Sequence, residues 1–314
     1  MRLWVFSVAA LMGSLAAPAW AQQDTWSGVE RIVAVGDVHG DFGQLVKAMR
    51  AAGVMDANEN WIAGKTHLVQ TGDVLDRGSD SRKAMDLLMK LEAQAADANG
   101  AVHALIGNHE AMVLLGDLRY VSEGEYKAFG GEDEYRKAMS VTGKYGRWIR
   151  SHNAVIKIND VLFCHAGLTP PFARMSLAEI NKSVRAALAT GDGNGIVTDS
   201  AGPLWDRILA MDDEGLVAKD LDIVFQALGA GRMVVGHTVS TDGIMTRAAG
   251  RLIRIDVGMS GCYGGPAACL VVDKGVFYEA VAGRDKPRLL SEVSTSGPAA
   301  SQPVSRPTAT KPGK

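Results

Sequence analysis

Five short stretches place oxygen and imidazole donors at the end of an apolar run: GDVHG (36–40), GDVLDRG (72–78), GNHE (107–110), CHAGL (164–168) and GHT (236–238). Carboxylate, amide and imidazole donors without thiolate suit Mn, Fe, Zn or related ions, which acidify a bound water towards neutral pH. A single strand-end Asp is usually a turn or helix cap, and a lone GNH is usually turn chemistry. Five such ends in one chain point instead to one polar cluster, expected to hold two ions. None of the three cysteines belongs to a ligand pair, so thiolate chemistry is not expected here.

Those side chains can meet only if the chain is built to converge. RIVAVGD, THLVQTGD and AVHALIGNHE read as strands, with FGQLVKAMRAAGV and SRKAMDLLMKLEAQAADANG as amphipathic helices between them. AVIKINDVLFCHAG reads as a hairpin turning at Asn159 and Asp160, and RMVVGHT, RLIRIDVGM, AACLVVDKG and VFYEAVAG add further strands. In an α/β sheet the carboxyl ends of neighbouring strands open onto one crevice, where residues distant in sequence come together. Two mostly helical stretches interrupt the strands, one after GNHE and one over 172–229. With no internal repeat and no clean linker, the expectation is one α/β domain with helical insertions.

Composition sets the frame. The chain has 314 residues, enough for a real core, and 33 Lys plus Arg against 35 Asp plus Glu. That balance, without a dense basic stripe, argues against a nucleic-acid partner. Residues 1–21 carry Arg2, an apolar stretch and the small-x-small pattern Ala19, Trp20, Ala21, and read as a signal peptide cleaved after Ala21. No later segment matches a membrane span, so the expectation is an exported protein, periplasmic or secreted, with no stable membrane insertion after cleavage. Residues 22–287 would form the domain. Residues 288–314, rich in Ser, Thr and Pro, read as a disordered tail. Cys164 reads as a small buried hydrophobe, while Cys262 and Cys269 are close enough in sequence to pair.

GDVHG, GDVLDRG and GNHE together resemble the calcineurin-like metallophosphoesterases, and within them the phosphoprotein phosphatase branch, over about Arg31 to Tyr278. GDLRYV, GPLWDR and IDVGMS are similar to stretches of the bacterial Shewanella-like phosphatases. Many relatives outside that branch carry a GHxH element, whereas here Thr238, Val239 and Ser240 follow His237. The resemblance implies an α/β fold: a metallophosphoesterase β-sandwich flanked by helices, with a helical insertion after GNHE. It implies two divalent ions, manganese first, with iron or zinc as alternatives. Asp37 and His39 would bind one ion, Asp73 would bridge, and Asn108, His165 and His237 would complete the second site. His109 takes the part of general acid, with Asp76 to orient it.

The implied reaction is attack on phosphorus by a metal-bridging hydroxide, with the equatorial oxygens held by the ions and two arginines. Arg77 stands beside the bridging motif, and its planar guanidinium matches phosphate. Arg207 reads equally as a second phosphate ligand or as a surface arginine on a helix beginning near Pro203. Tyr263 is a further candidate for the pocket border. His103 reads as a core histidine, and His67 and His152 have no assignment. The four tyrosines of the insertion, at 120, 126, 135 and 145, read mainly as packing residues. The expected function is an exported phosphomonoesterase acting on phosphoprotein, phosphotyrosine ahead of phosphoserine or phosphothreonine, or on small phosphoesters. A nucleotidase or dinucleoside polyphosphate hydrolase is the alternative. A catalytically silent binding protein is the third reading, weakened because all six proposed ligands, Arg77 and His109 are present.

Overall fold

The computed structural model describes residues 23–291, and the signal-peptide reading of residues 1–21 lies outside them. The strands are β1 (Thr25–Trp26), β2 (Arg31–Val35), β3 (His67–Gln70), β4 (Ala101–Ala104), β5 (Val155–Ile158), β6 (Val161–Cys164), β7 (Arg232–Val235), β8 (Met245–Arg247), β9 (Leu252–Arg254), β10 (Ala268–Asp273), β11 (Val276–Val281) and β12 (Arg288–Ser291). The helices are α1 (Phe42–Ala51), α2 (Ser81–Asp97), α3 (Asn108–Leu114), α4 (Glu123–Phe129), α5 (Glu132–Met139), α6 (Lys144–Arg150), α7 (Leu177–Thr190), α8 (Ile208–Met211) and α9 (Glu214–Leu228).

Two six-stranded mixed sheets result, ordered β1-β5-β6-β7-β9-β8 and β12-β11-β10-β2-β3-β4. Period-2 side-chain alternation decides what each face of the first sheet meets. Val161 and Phe163 of β6 and Val234 of β7 point into the core shared with the second sheet. Their neighbours Leu162, Cys164, Met233 and Val235 point the other way, onto Ile180 of α7 and Leu221 and Val224 of α9. In the second sheet, Ile32 to Val35 of β2 are all buried, the continuous apolar run expected of a strand covered on both faces. The parallel trio β2, β3 and β4 is the reason GDVHG, GDVLDRG and GNHE open on one edge. The parallel trio β6, β7 and β9 does the same for CHAGL and GHT.

The hairpin turns where expected, with Asn159 in the left-handed region at φ 56°. The insertion after GNHE comprises α4, α5 and α6, packed through Phe129, Tyr135 and Tyr145. Two features correct the sequence reading, and a third answers a question it left open. The tail does not start at residue 288: Arg288–Ser291 form β12 against β11, and Arg288 Nε donates to buried Glu279 at 2.8 Å. The helix near Arg207 starts at Ile208, not Pro203, because the Asp206 carboxylate accepts the Ile208 and Leu209 amides at 3.0 and 3.2 Å. Cys262 and Cys269 are free thiols, one exposed in a loop and the other buried in β10.

Candidate active site

The loops after β2, β3, β4, β6 and β7 bring Asp37, His39, Asp73, Asn108, His165 and His237 together. Two close-packed groups form, one of His39, Asp73 and His109, the other of Asp73, His165 and His237, so Asp73 is common to both. Its Oδ2 lies 3.8 Å from His39 Nε2, 3.8 Å from His109 Nε2 and 3.4 Å from His165 Nε2. His39 Nε2 is 3.9 Å from Asp37. His165 Nε2 lies 2.8 Å from Asn108 Oδ1 and 3.1 Å from His237 Nδ1.

Glycine permits this density. A Cβ at Gly107 would sit 2.2 Å from Asp73 Oδ1, and one at Gly236 would sit 2.3 Å from Asp37 Oδ1. Both carboxylates therefore rest directly on backbone. Glu110, inside GNHE but given no role from sequence, anchors the bridging loop. One of its oxygens accepts the Asp73 and Gly107 amides at 2.7 and 2.8 Å, the other the Val74 and Leu75 amides at 2.8 and 3.3 Å. His39, Asp73, Asp76, Arg77 and His237 all have φ between 46° and 71°. Such backbone costs about 1–2 kcal/mol per residue and persists only where surroundings impose it.

The donors fit divalent cations. His39 and His165 each turn Nδ1 onto a backbone carbonyl, Leu75 at 3.1 Å and Thr71 at 2.9 Å, which leaves Nε2 for the cluster. That is how a protein fixes the tautomer of a ligating imidazole. Burial drives both residue types towards neutrality: Asp73 is pushed up to about 8, and Asp37 well above the usual carboxylate range, with Asp256 and Asp73 adding to the effect. Burial lowers His39 and His237 to about 3, and His165 well below its ordinary value. A cation reverses the balance for the acids and takes the imidazoles in the neutral form they already hold.

Around the cluster lies a cavity of about 510 Å³. His109 lines it, with Nδ1 bonded to Asp76 Oδ2 at 2.6 Å, leaving Nε2 as the exchangeable atom. Burial alone would lower this imidazole, but Asp73 and the Asp76 bond outweigh it and raise His109 above its ordinary value. Asp76 is buried and does not line the cavity, so it acts through His109. The Arg77 guanidinium lies 5.0 Å from the Tyr120 ring and 5.4 Å from the Tyr263 ring, which places both tyrosines at the border. Arg207 also lines the cavity, its Nη1 donating to His237 O and Thr238 Oγ1 at 3.2 and 3.3 Å. It is not a detached surface arginine. Met112, Leu115 and Trp205 give the cavity an apolar flank. Asp256, present in IDVGMS but unassigned from sequence, lines it as well.

The remaining histidines gather elsewhere. His103 Nε2 is 3.0 Å from His67 Nδ1, in a separate cavity of about 290 Å³ that also touches Trp26 and Glu92. His152 stands close by, 3.7 Å from Glu92. His103 is thus paired and largely covered, as expected, but its partner is His67.

Residues 30–240 match the family model described as calcineurin-like phosphoesterase. The chain is 34% identical to an uncharacterized protein of Schizosaccharomyces pombe, over 77% of each chain. It is 30% identical to Shewanella-like protein phosphatase 2 of Arabidopsis thaliana, over 79% of this chain and 76% of the relative. Among solved structures, the cold-active protein-tyrosine phosphatase of a psychrophilic Shewanella species superposes with a TM-score of 0.78 and 28% identity, over 91% of this chain and 89% of that one.

Proposed function

The chain belongs to the calcineurin-like phosphoesterase family as a metal-dependent phosphatase, and from that premise we propose that it dephosphorylates phosphoproteins, with phosphotyrosine preferred. The observation that carries the substrate reading is the cavity itself. Two guanidiniums, of Arg77 and Arg207, line the same cavity as the Asp and His cluster, and Tyr120, Met112, Leu115 and Trp205 add aromatic and apolar surface to it. A phosphoaryl group fits such a site, with its phosphoryl oxygens on the arginines and its ring against the flank. The similarity to a structure described as a protein-tyrosine phosphatase supports the same preference.

Asp37, His39, Asp73, Asn108, His165 and His237 would hold two divalent ions, manganese by preference, with Asp73 shared. Bound divalent cations supply Lewis acidity and a water acidified towards neutral pH. The chain's own residues do the rest. Arg77, near the Tyr120 and Tyr263 rings, takes phosphoryl oxygens bidentately, and Arg207, lining the same cavity, adds positive charge. His109, whose imidazole burial lowers but Asp73 and the Asp76 bond raise to a net position above its ordinary value, donates its Nε2 proton to the leaving oxygen. The apolar flank limits water around the ring of the substrate.

Export belongs to the same proposal. Cleavage after Ala21 would leave β1 intact, where Thr25 and Trp26 pair with Lys157 and Ile158. The N-terminal residue of the protein recovered from an extracellular or periplasmic fraction checks this; an uncleaved Met1 would refute it.

The substrate test compares phosphotyrosine peptide, phosphoserine peptide and diadenosine tetraphosphate as substrates of the purified, Mn²⁺-loaded protein. The reading expects the highest kcat/KM on the phosphotyrosine peptide. Faster turnover of the dinucleotide would replace the substrate class and leave the site's chemistry standing.

A further inference from the structure

Asp256 follows β9 and is 1% exposed. One oxygen, Oδ1, accepts the Gly258 amide at 3.0 Å and shapes the turn. The other, Oδ2, is buried without a hydrogen-bond donor. The carboxyl lies within hydrogen-bonding reach of the Asp37 carboxyl, and the guanidiniums of Arg207 and Arg254 are near enough to act on it. Both Asp37 and Asp256 line the catalytic cavity.

Leaving a buried carboxylate oxygen unsatisfied forfeits its hydration without return, and placing it against a second carboxylate adds repulsion. A residue kept only for the turn would not need that oxygen; Asn or Ser would accept the Gly258 amide equally well. Arg207 is already bonded to His237 O and Thr238 Oγ1, and Arg254 donates to the Ala210, Thr238 and Val239 carbonyls. Neither guanidinium supplies the missing donor. Two adjacent carboxyls are satisfied either by a proton shared between them or by a cation, and the imidazole of His39, 3.9 Å from Asp37, and the Asp73 carboxylate beside it make this a cation-binding environment.

We propose that Asp256 is a further residue of the metal centre, its carboxylate joining Asp37 to hold the ion on that side of the cluster. The proposal rests on the metal-dependent phosphatase reading and extends its set of residues by one. Through the same carboxylate, the ion pocket is electrostatically tied to Arg207, so metal loading and the phosphate-facing wall are set together.

The test is Mn²⁺ binding by the full chain, measured by titration calorimetry and by bound-metal analysis after gel filtration. Asp256→Asn keeps the shape and the Oδ1 acceptor while removing the charge. It should weaken Mn²⁺ binding at one site by tenfold or more. Asp37→Asn should do the same, and the double variant should lose less than the product of the two effects, as residues serving one ion do. Wild-type affinity in a folded Asp256→Asn protein overturns the proposal. A wild-type chain that takes up no Mn²⁺ would instead refute the manganese reading beneath it. Should the variant not fold, anomalous diffraction from Mn²⁺-loaded crystals of the unaltered chain decides. An ion about 2.2 Å from Asp256 Oδ2 supports the assignment, and its absence there overturns it.

Discussion

Asp73 and His109 show how much one side chain can be asked to do. Asp73 touches three imidazoles through one oxygen and accepts the His109 amide at 2.9 Å through the other. Asp73→Asn removes the charge common to both donor groups, and is expected to lower bound metal by elemental analysis and to reduce kcat/KM by at least a thousandfold. His109→Asn should leave metal content intact and slow the reaction by about 10²–10⁴-fold, the range for a lost general acid. Alkyl esters should suffer more than aryl esters, whose leaving oxygen needs the proton less; equal losses would argue against proton donation. Their place in a polar cluster is legible because each follows an apolar run at a turn, whereas the bridging role of Asp73 and the acid role of His109 come from the resemblance of GDVLDRG and GNHE to a known family. Glu110 and Asp256 carried no such signal of role. What distinguishes them is burial and partners on other loops, which no spacing reveals.

At the scale of elements, α3 and the loop after β3 behave as one unit because Glu110 binds both. Glu110→Gln would turn an amide group towards backbone N–H donors that need acceptors. The expected loss is about 2–4 kcal/mol of unfolding free energy by urea denaturation. Weaker Mn²⁺ binding should accompany it, since the loop carries Asp73. An unchanged denaturation midpoint would show that the loop holds itself. The long strands and helices were readable from periodicity, as was the Asn159 turn. The strands missed, β1, β8 and β12, all lie at sheet edges. With exposed or half-buried residues in β1 and β8 they lack the apolar run that marks equally short inner strands such as β9, and they exist because a neighbouring strand offers an edge. The tail boundary failed for that reason: composition marked residue 288, whereas pairing with β11 carries order on to Ser291.

For the whole molecule, the cluster joins the two sheets. Asp37, His39, Asp73 and Asn108 come from one, His165 and His237 from the other. A divalent cation held by this cluster would link the two sheets, so EDTA should lower the thermal midpoint and Mn²⁺ restore it. A shift of roughly 5–10 °C is expected near saturation. Acid should act on the second histidine group. Burial lowers His103 and His152 to about 3 and lowers His67 too, whereas it raises Glu92 to about 7. Below about pH 6.5 the unfolded chain binds protons that these imidazoles refuse, so stability falls as pH drops towards 3. Glu92 takes up a proton on folding and offsets one imidazole between about pH 4.3 and 7 only. His152→Leu should therefore lose less thermal stability than the wild type between pH 7 and pH 5; an equal loss would place the acid sensitivity elsewhere.

The order of strands also sets an order in time. Strand β10 lies directly beside β2, and Gly261 donates to Asp41, 220 positions earlier in the chain. During synthesis the first metal-facing residues emerge long before His165 and His237, and the strand that closes the sheet beside them comes later still. Such distant pairings form slowly, since the intervening chain must be brought round first. The growing polypeptide consequently has no complete centre until strands from both sheets have been made and brought together.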